Sequence, residues 1–470
     1  MVKAHRLFPS LLFSFLSVGT SYSERHVVEK TTVPLASLER RIECEFFQPD
    51  FLVADCNYHS LASASDGNIY FTLGTHAPGW AARFYSFDPT TETISLVAEM
   101  DKVVGEDATK DISQGKIHTR LFEHAGKLWF ASHTSFYEES LPGVNYGDRT
   151  PYSGGHFMSY DLATGKFEDL ATVFPNEGII SMTMDKENEI LYGITWPSGL
   201  LVSYDIEAED LRLWGAVQDR GEWGHKPEEW DRICRTLGVD PEGKVYGSTM
   251  DGRIWKFDRN QANRVSYIEG LDLSKVPFSQ SAEETVKGNF QNNWRVIEWN
   301  PDTNSFWGVL FETATLFEFD PATDYIRSVV DLRPEPYEGM PRNPETSQLG
   351  FLIGPNNTIF YLAHGPAVEI EGKPEVQSSL YLFTYEIDQG KFTNHGAVIS
   401  SDQRRPFFAE SLAIGADDHL YTVAWVEVTD PERISKLREA RAMGAPSETA
   451  EMVYEMLLTR LPKWSEFIAE

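Results

Sequence analysis

Cysteine is scarce in this chain. Three cysteines occur in 470 residues, and none belongs to a Cys-x-x-Cys pair or to a Cys/His spacing typical of zinc sites. The chain therefore lacks the usual sequence signature of a cysteine-based metal centre. Cys44 and Cys56 are twelve positions apart, and an oxidising compartment would permit a disulfide between them.

Positive charge is also sparse. Lys and Arg number 41 against 71 Asp and Glu, which gives a formal net charge of −30 at pH 7. No cluster of Lys or Arg supplies the basic face that nucleic-acid binding needs, and such acidity discourages contact with anionic membranes. We therefore expect neither nucleic acid nor a membrane as a partner. A polyanionic substrate would require a locally basic site.

Long apolar runs are absent apart from one at the N-terminus. Lys3 and Arg6 precede an apolar run over Leu7–Val18, and Ser21 and Ser23 follow it in a small-x-small pattern. This order predicts a secretory signal peptide over residues 1–23 and a secreted or periplasmic protein. The alternative is an N-terminal membrane anchor, but the run is shorter than a spanning helix.

What the chain does contain is a repeat. Two runs of alternating apolar residues around a tight Gly, Asp or Asn turn occur seven times: HSLASASDGNIYFTLG, HTRLFEHAGKLWFASH, ISMTMDKENEILYGITW, RTLGVDPEGKVYGSTM, RVIEWNPDTNSFWGVLFE, LGFLIGPNNTIFYLAH and ESLAIGADDHLYTVAW. Each of the first six is followed by an aromatic residue, an acidic residue that opens a turn, and another strand: Phe87-Asp88, Tyr160-Asp161, Tyr204-Asp205, Phe257-Asp258, Phe319-Asp320 and Tyr385-Glu386.

Two hairpins per repeat make a four-stranded antiparallel unit, and the units follow one another at the spacing of propeller blades. The sequence therefore predicts an all-β, seven-bladed β-propeller over residues 24–430. Two stacked sandwiches, the competing architecture, would not show this regular alternation. The seventh unit lacks its second hairpin, and the stretch TTVPLASLERRIECEFFQPDF before the first unit would supply the missing outer strands.

Residues 431–470 have helical periodicity instead. They predict a short C-terminal helical tail packed on the propeller, or alternatively a helix that binds a partner or a second copy.

Strand direction predicts where function lies. In each blade the start of the first strand, the end of the second and the start of the third lie on one face. Many of the chain's titratable and aromatic residues occupy these positions around the channel mouth: His59, His76, His118, His133, Tyr137, Tyr146, Arg149, Tyr152, His156, Trp196, Arg232, Arg235, Asn292, Asn293, Arg295, Glu312, His364 and Glu410.

Imidazole and phenol suit proton transfer, and arginine suits a carboxylate. β-Elimination of a uronate-containing polysaccharide needs all three. With its second blade, IHTRLFEHAGKLWFASH and then GGHFMSYDLATG, the chain resembles the secreted propeller polysaccharide lyases, notably the ulvan lyases and more distantly the oligogalacturonate lyases. The resemblance implies His133, His156, Tyr152 (or Tyr137) and Arg235 as catalytic groups. The other channel-mouth positions would bind substrate: His118, Tyr137, Arg149, Trp196, Asn293, Arg295, His364 and Glu410.

The resemblance also bears on metals. Oligogalacturonate lyases hold a divalent metal with histidines and a glutamine, and His118, His133 and His364 would be candidates here. A second hypothesis is a metal-dependent lactonase or esterase that binds calcium or zinc through Glu312, Glu410 and Asn293. A third is a propeller that binds a ligand without catalysis.

Overall fold

In a computed structural model, the described part of the chain comprises residues 32–77, 79–135, 148–222, 231–261, 265–276, 292–311, 313–332, 349–376, 378–441 and 453–468. The predicted signal peptide lies outside these ranges. Among the helices within them, none is long and apolar enough to span a bilayer.

Five blades are separate four-stranded antiparallel sheets, with the strands in chain order from one edge of each sheet to the other. Blade 1 comprises β3 (Leu61–Ser63), β4 (Ile69–Leu73), β5 (Arg83–Asp88) and β6 (Thr93–Glu99). Blade 2 comprises β7 (Phe122–His124), β8 (Lys127–Ala131), β9 (His156–Asp161) and β10 (Lys166–Thr172). Blade 3 comprises β11 (Gly178–Asp185), β12 (Ile190–Trp196), β13 (Leu200–Asp205) and β14 (Asp210–Ala216). Blade 4 comprises β15 (Gly238–Val239), β16 (Val245–Ser248), β17 (Arg253–Phe257) and β18 (Val265–Asp272). Blade 5 comprises β19 (Trp294–Asn300), β20 (Ser305–Leu310), β21 (Thr315–Asp320) and β22 (Tyr325–Asp331).

The last two blades share one nine-stranded sheet. Blade 6 comprises β23 (Phe351–Gly354), β24 (Thr358–Gly365), β26 (Ser379–Glu386) and β27 (Lys391–Ser400). Blade 7 comprises β28 (Pro406–Ala409), β29 (Ala413–Ile414), β30 (His419–Glu427), β31 (Tyr454–Lys463) and β2 (Arg41–Phe47). β2 pairs antiparallel with β31 and parallel with β27, which joins the two blades. The short strands β1 (Thr32–Pro34) and β25 (Ala367–Glu369) pair in parallel.

This arrangement confirms the seven-bladed propeller. The innermost strands β11, β15, β19 and β23 contact one another in succession, β11 also contacts β8 of blade 2, and β29 of blade 7 contacts β3 of blade 1, which closes the ring. The N-terminal stretch does supply the missing outer strand, as β2.

The C-terminal prediction is only partly correct. An α-helix, α2 (Pro431–Arg441), forms where helical periodicity begins; the other α-helix in the described part is α1 (Met100–Val104). Residues 454–463, however, form β31 and not a helix. Met456 and Leu458 pack in one buried cluster while Leu457 and Leu461 pack in another. Because a strand inside a propeller is covered on both faces, it carries apolar residues on both, and its sequence loses the alternation that identifies strands.

The predicted turn chemistry is present at the outer hairpins. The carboxylate of Asp88 accepts the Thr90 amide at 2.8 Å, and that of Asp161 accepts the Thr164 amide at 2.8 Å. These bonds satisfy backbone donors in the turn that leads to each outermost strand.

The core lies between blades. Phe84 of blade 1 and Phe130 of blade 2, for example, have ring centroids 5.4 Å apart. Inner strands such as β4 and β12 are buried along their whole length, whereas outermost strands such as β6 are partly exposed. The rigid inner strands therefore fix the loops at the channel mouth.

The disulfide that the sequence left open, between Cys44 and Cys56, is not formed in this structure. Cys44 and Cys56 are both free and buried. Cys44 lies in β2 and packs with blades 6 and 7, while Cys56 packs in a different cluster with blade 1 residues such as Phe71. The two thiols therefore belong to separate parts of the core.

Candidate functional site

Polar side chains from five blades meet where inner strands begin or end, and we call this set the central cluster: His59, Lys116, His118, His133, Asn293, Arg295, His364 and Glu410. Every member is at least nine-tenths buried. The backbone of His59, held at φ 70°, donates its amide to the carbonyl of Glu410 at 2.9 Å and so ties blade 1 to blade 7.

Two histidines of the cluster lie side by side. The ring of His118 stacks on Tyr58 with centroids 4.4 Å apart, and it meets the ring of His133 edge-on at 5.6 Å. The His133 ring in turn contacts Trp196 at 6.0 Å. Gly178 makes this packing possible, because a Cβ there would lie 2.2 Å from His133 Nδ1.

The same histidines are held neutral. Burial lowers the pKa of His118 well below its usual range, and the charges of Arg235 and Lys116 add to the effect. Burial also lowers the pKa of His133, with Lys116 the next largest cause. A neutral imidazole has a lone pair that can accept a proton, so both rings are in the form that a general base requires.

Buried ion pairs surround the two rings. Both terminal nitrogens of Arg235 donate to Glu222, at 2.6 and 3.0 Å, and the indole of Trp196 donates to the same carboxylate at 2.6 Å. Burial by itself would raise the pKa of Glu222, but Arg235 outweighs it and holds that pKa below its usual value. Arg235 is therefore engaged in positioning Trp196.

A second pair is less complete. Arg295 donates to Glu410 through one terminal nitrogen. Burial raises the pKa of Glu410, and the attraction of Arg295 only partly offsets that rise. With a single donating nitrogen, the Arg295–Glu410 pair lacks the bidentate geometry of the Arg235–Glu222 pair.

Several buried polar atoms of the central cluster have no hydrogen-bond partner among the described residues: His118 Nδ1, Asn293 Oδ1, Arg295 Nε, both ring nitrogens of His364, and Glu410 Oε2. Such atoms are rare in folded proteins because each costs free energy unless something binds it. Their convergence makes the central cluster the candidate site for a polar ligand with both donor and acceptor groups.

His156 and Tyr152 face a different set of neighbours. His156 Nδ1 bonds Asp169 at 2.8 Å and Thr172 at 3.2 Å, both on the outermost strand of blade 2. The Tyr152 hydroxyl donates to Gln114 at 2.7 Å, and burial raises its pKa well above the usual range. The structure thus pairs His133 with His118, whereas the sequence suggested His156; the catalytic roles remain predictions.

The remaining predicted positions divide between the described and the undescribed residues. Tyr137, Tyr146 and Glu312 lie outside the described residues. Arg149 is partly exposed and approaches Gly79 of blade 1, at the edge of this face.

Sequence reasoning missed Lys116 and Glu222. Lys116 is buried beside His133, with which it exchanges backbone hydrogen bonds of 2.8 and 3.0 Å, and burial lowers its pKa to about 8. Its position two residues before His118 could have indicated that Lys116 belongs to the same site. Glu222 follows the outermost strand of blade 3, a position for which the strand-direction rule makes no prediction.

The expected metal ligands His118, His133 and His364 do not form a chelating set. Within the described ranges, one group of three His, Cys, Asp or Glu side chains brings its ligand atoms within 4.8 Å of one another, and it is Asp55, Cys56 and His76.

A separate cavity of about 740 Å³ lies between the N-terminal segment and the β25 region, lined by Leu35, Val368, Glu371 and Arg405 among others. It contains none of the predicted site residues. Its lining includes charged residues such as Arg41 and Lys373, and the guanidinium of Arg405 donates to Glu427 and to two backbone carbonyls.

We expect His364 to make stability depend on pH. Burial lowers its pKa from 6.5 to about 3, and Arg295 adds to the shift. Between these values the unfolded chain binds a proton that the folded chain does not, so stability falls as pH falls. The slope from this residue is about 1.4 kcal/mol per pH unit.

Urea unfolding at several values between about pH 4 and 6 tests this expectation. His364→Gln should flatten the pH slope relative to wild type, because glutamine does not titrate. His124→Gln, a change at a partly exposed histidine of a hairpin turn, serves as the control. Equal slopes for wild type and His364→Gln would contradict the assignment.

Comparisons with known proteins support the fold and do not identify a function. No protein-family model matches the chain, and no curated protein matches it. A solved fungal alcohol oxidase of the AA5 family, in complex with copper, is 10% identical over 87% of this chain and 76% of its own, with a TM-score of 0.50. A chain in the mitotic checkpoint complex is 11% identical over 88% of this chain and 96% of its own, with a TM-score of 0.46. An auxiliary nutrient binding protein from Bacteroides thetaiotaomicron is 10% identical over 87% and 70%, with a TM-score of 0.40. At these identities the similarity to the oxidase concerns the scaffold alone.

Proposed function

We propose that this protein is a secreted carbohydrate-active enzyme that cleaves a uronate-containing polysaccharide by β-elimination. The observation that carries the proposal is the central cluster, in which two adjacent histidines lie beside a buried arginine whose Nε has no hydrogen-bond partner among the described residues. Abstraction of a proton from the carbon next to a carboxylate needs a base, and it needs a positively charged group that contacts the carboxylate.

The geometry favours a revised division of roles. Arg235 is held by Glu222 on both terminal nitrogens, whereas Arg295 Nε has no hydrogen-bond partner among the described residues. We therefore assign carboxylate binding to Arg295 and positioning of Trp196 to Arg235. Proton abstraction falls to His133, and the imidazolium so formed returns that proton to the leaving glycosidic oxygen; the ring of His118 lies edge-on beside it.

The central cluster is locally basic, which allows an anionic substrate to bind although the protein as a whole is acidic. The total charge of −30 repels an anionic polymer at long range, but Lys116 and Arg295 act at short range on buried groups, where screening by water and salt is weak. Their effect is visible in the lowered pKa of His118, to which burial contributes most and both charges add.

Incubation with ulvan, pectate, glucuronan and heparin-type polymers tests the proposal. We expect at least one polymer to give rising ultraviolet absorbance from unsaturated uronate ends. A folded protein that produces no unsaturated ends from any of the four would overturn the lyase assignment. Reducing ends without unsaturation would identify a hydrolase.

One observation favours a second candidate, the metal-dependent lactonase or esterase. Glu410 Oε2 and Asn293 Oδ1 are buried oxygens without partners among the described residues, and carboxylate and amide oxygens are ligands that calcium prefers. The adjacent Arg295 opposes a cation at that position. Lactone hydrolysis that requires added calcium, together with no action on uronates, would favour this candidate.

A further inference from the structure

Asp55, Cys56 and His76 converge beside the central cluster without being part of it. Asp55 and Cys56 precede β3, and His76 follows β4, so the first hairpin of blade 1 brings its two flanks together. The flanks are paired through Gly74, whose amide donates to the Cys56 carbonyl at 2.8 Å and whose carbonyl accepts the Asp55 amide at 3.1 Å. The three side chains are therefore fixed by backbone contacts.

The three side chains offer one thiol, one carboxylate and one imidazole, and their ligand atoms all lie within 4.8 Å of one another. His76 Nδ1 and Asp55 Oδ1 are 2.9 Å apart. Cys56 is 1% exposed, and the other two side chains are 14% and 13% exposed. Mixed sulfur, nitrogen and oxygen donors are the set that zinc accepts, whereas calcium and magnesium take oxygen alone.

Space around the thiol is preserved by a glycine. A Cβ at position 74 would lie 2.9 Å from Cys56 Sγ and 3.0 Å from the Gly115 carbonyl. Any side chain there would press on the sulfur, so Gly74 keeps the sulfur side of this set clear.

One nearby charge opposes a cation. Lys116 lies close enough for its charge to act on both Asp55 and Cys56. The carboxylate and a thiolate together bring two negative charges, which offset the two positive charges of a zinc ion. The donor set therefore remains compatible with zinc despite Lys116.

We propose that Asp55, Cys56 and His76 bind a zinc ion at the channel mouth. Three protein ligands leave one tetrahedral position, and three ligands plus a water is the composition of catalytic zinc sites. Lys116, the member of the central cluster whose backbone pairs with that of His133, is close enough to this set for its charge to act on Asp55 and Cys56. The zinc site stands independently of the proposed lyase activity.

Cobalt titration of the full, metal-stripped protein tests the proposal, because cobalt bound to thiolate absorbs strongly by sulfur-to-metal charge transfer. We expect one cobalt per chain, displaced by zinc. Cys56→Ser should abolish the charge-transfer band, and His76→Gln should weaken binding by more than about 100-fold, since even removal of outer partners of a metal ligand costs 10- to 100-fold. Cys234→Ser, at a free and buried cysteine in a different cluster, is the matched control and should bind like wild type.

A folded wild-type protein that shows no charge-transfer band with excess cobalt would overturn the site. A band that survives in Cys56→Ser, or that disappears equally in Cys234→Ser, would also overturn it. Far-ultraviolet circular dichroism of each variant separates lost binding from lost folding. If Cys56→Ser does not fold, the His76→Gln titration and the zinc content of the purified wild type decide the matter.

Discussion

Arg405→Ala is expected to lower the free energy of unfolding by about 3–5 kcal/mol, because it leaves a buried carboxylate without its counter-charge. Arg405 is 1% exposed and Glu427 is 2% exposed. The guanidinium donates to both carboxylate oxygens, at 2.7 and 2.5 Å. It also donates to the carbonyls of Val368 and Pro374, at 2.6 and 2.5 Å.

The position of this pair explains the size of the expected effect. Glu427 ends β30 in blade 7, and Val368 belongs to β25 of the preceding blade region. Removing Arg405 therefore leaves Glu427 uncompensated where the blade 6 region meets blade 7, and it leaves the buried Val368 carbonyl and the Pro374 carbonyl without this donor. Both losses destabilise the folded protein.

Denaturant unfolding followed by fluorescence measures the effect. Arg212→Ala, at an arginine that is 58% exposed and paired with a partly exposed aspartate, should change stability by less than about 1 kcal/mol. The double variant Arg405→Met, Glu427→Leu should recover much of the loss, since an apolar pair leaves no unpaired charge. Equal effects of Arg405→Ala and Arg212→Ala would show that the pair does not stabilise the junction.

The scaffold was predictable because its signals are local. Alternating apolar residues around tight Gly, Asp or Asn turns define each inner hairpin, and an aspartate that caps its own turn defines the outer hairpins of blades 1 to 5. Asp88 and Asp161 make the predicted backbone bonds. Strand direction then placed the channel mouth, and His118 and His133 do meet there.

The features that the sequence did not predict depend on contacts between residues that are not neighbours in the chain. β31 carries apolar residues on both faces because neighbouring elements cover both, and no local pattern reveals that coverage. The sequence left open a disulfide between Cys56 and Cys44, whereas the Cys56 thiol lies with His76, twenty residues away, because the first hairpin of blade 1 brings the two together. Neither fact follows from short-range spacing.

The local sequence also does not predict the direction in which a side chain at a strand end points. His156 and His133 flank the same loop of blade 2, which made them a plausible pair. His156 instead turns outward to Asp169, while the space next to His133 is filled by His118 and Trp196. Topology thus predicts which residues lie on the same face, whereas packing decides which of their side chains contact each other.

That partnership gives the largest functional prediction. His133→Ala is expected to reduce kcat/KM on a uronate polymer by about 10²- to 10⁴-fold, the usual contribution of a positioned general base. His124→Ala, at a histidine of a hairpin turn that bonds Glu189, should leave turnover unchanged.

A glycine substitution then distinguishes a role in chemistry from a role in folding. Gly178→Ala keeps the imidazole of His133 but places a methyl group 2.2 Å from its Nδ1, so the ring must move. If His133 acts as the base, this variant should lower kcat more than it raises KM, because the transition state depends on ring position more strongly than binding does. Thermal unfolding identifies any variant whose activity loss reflects misfolding. Full turnover by a folded His133→Ala variant would remove the base from the proposed mechanism and leave the central cluster as a candidate binding site.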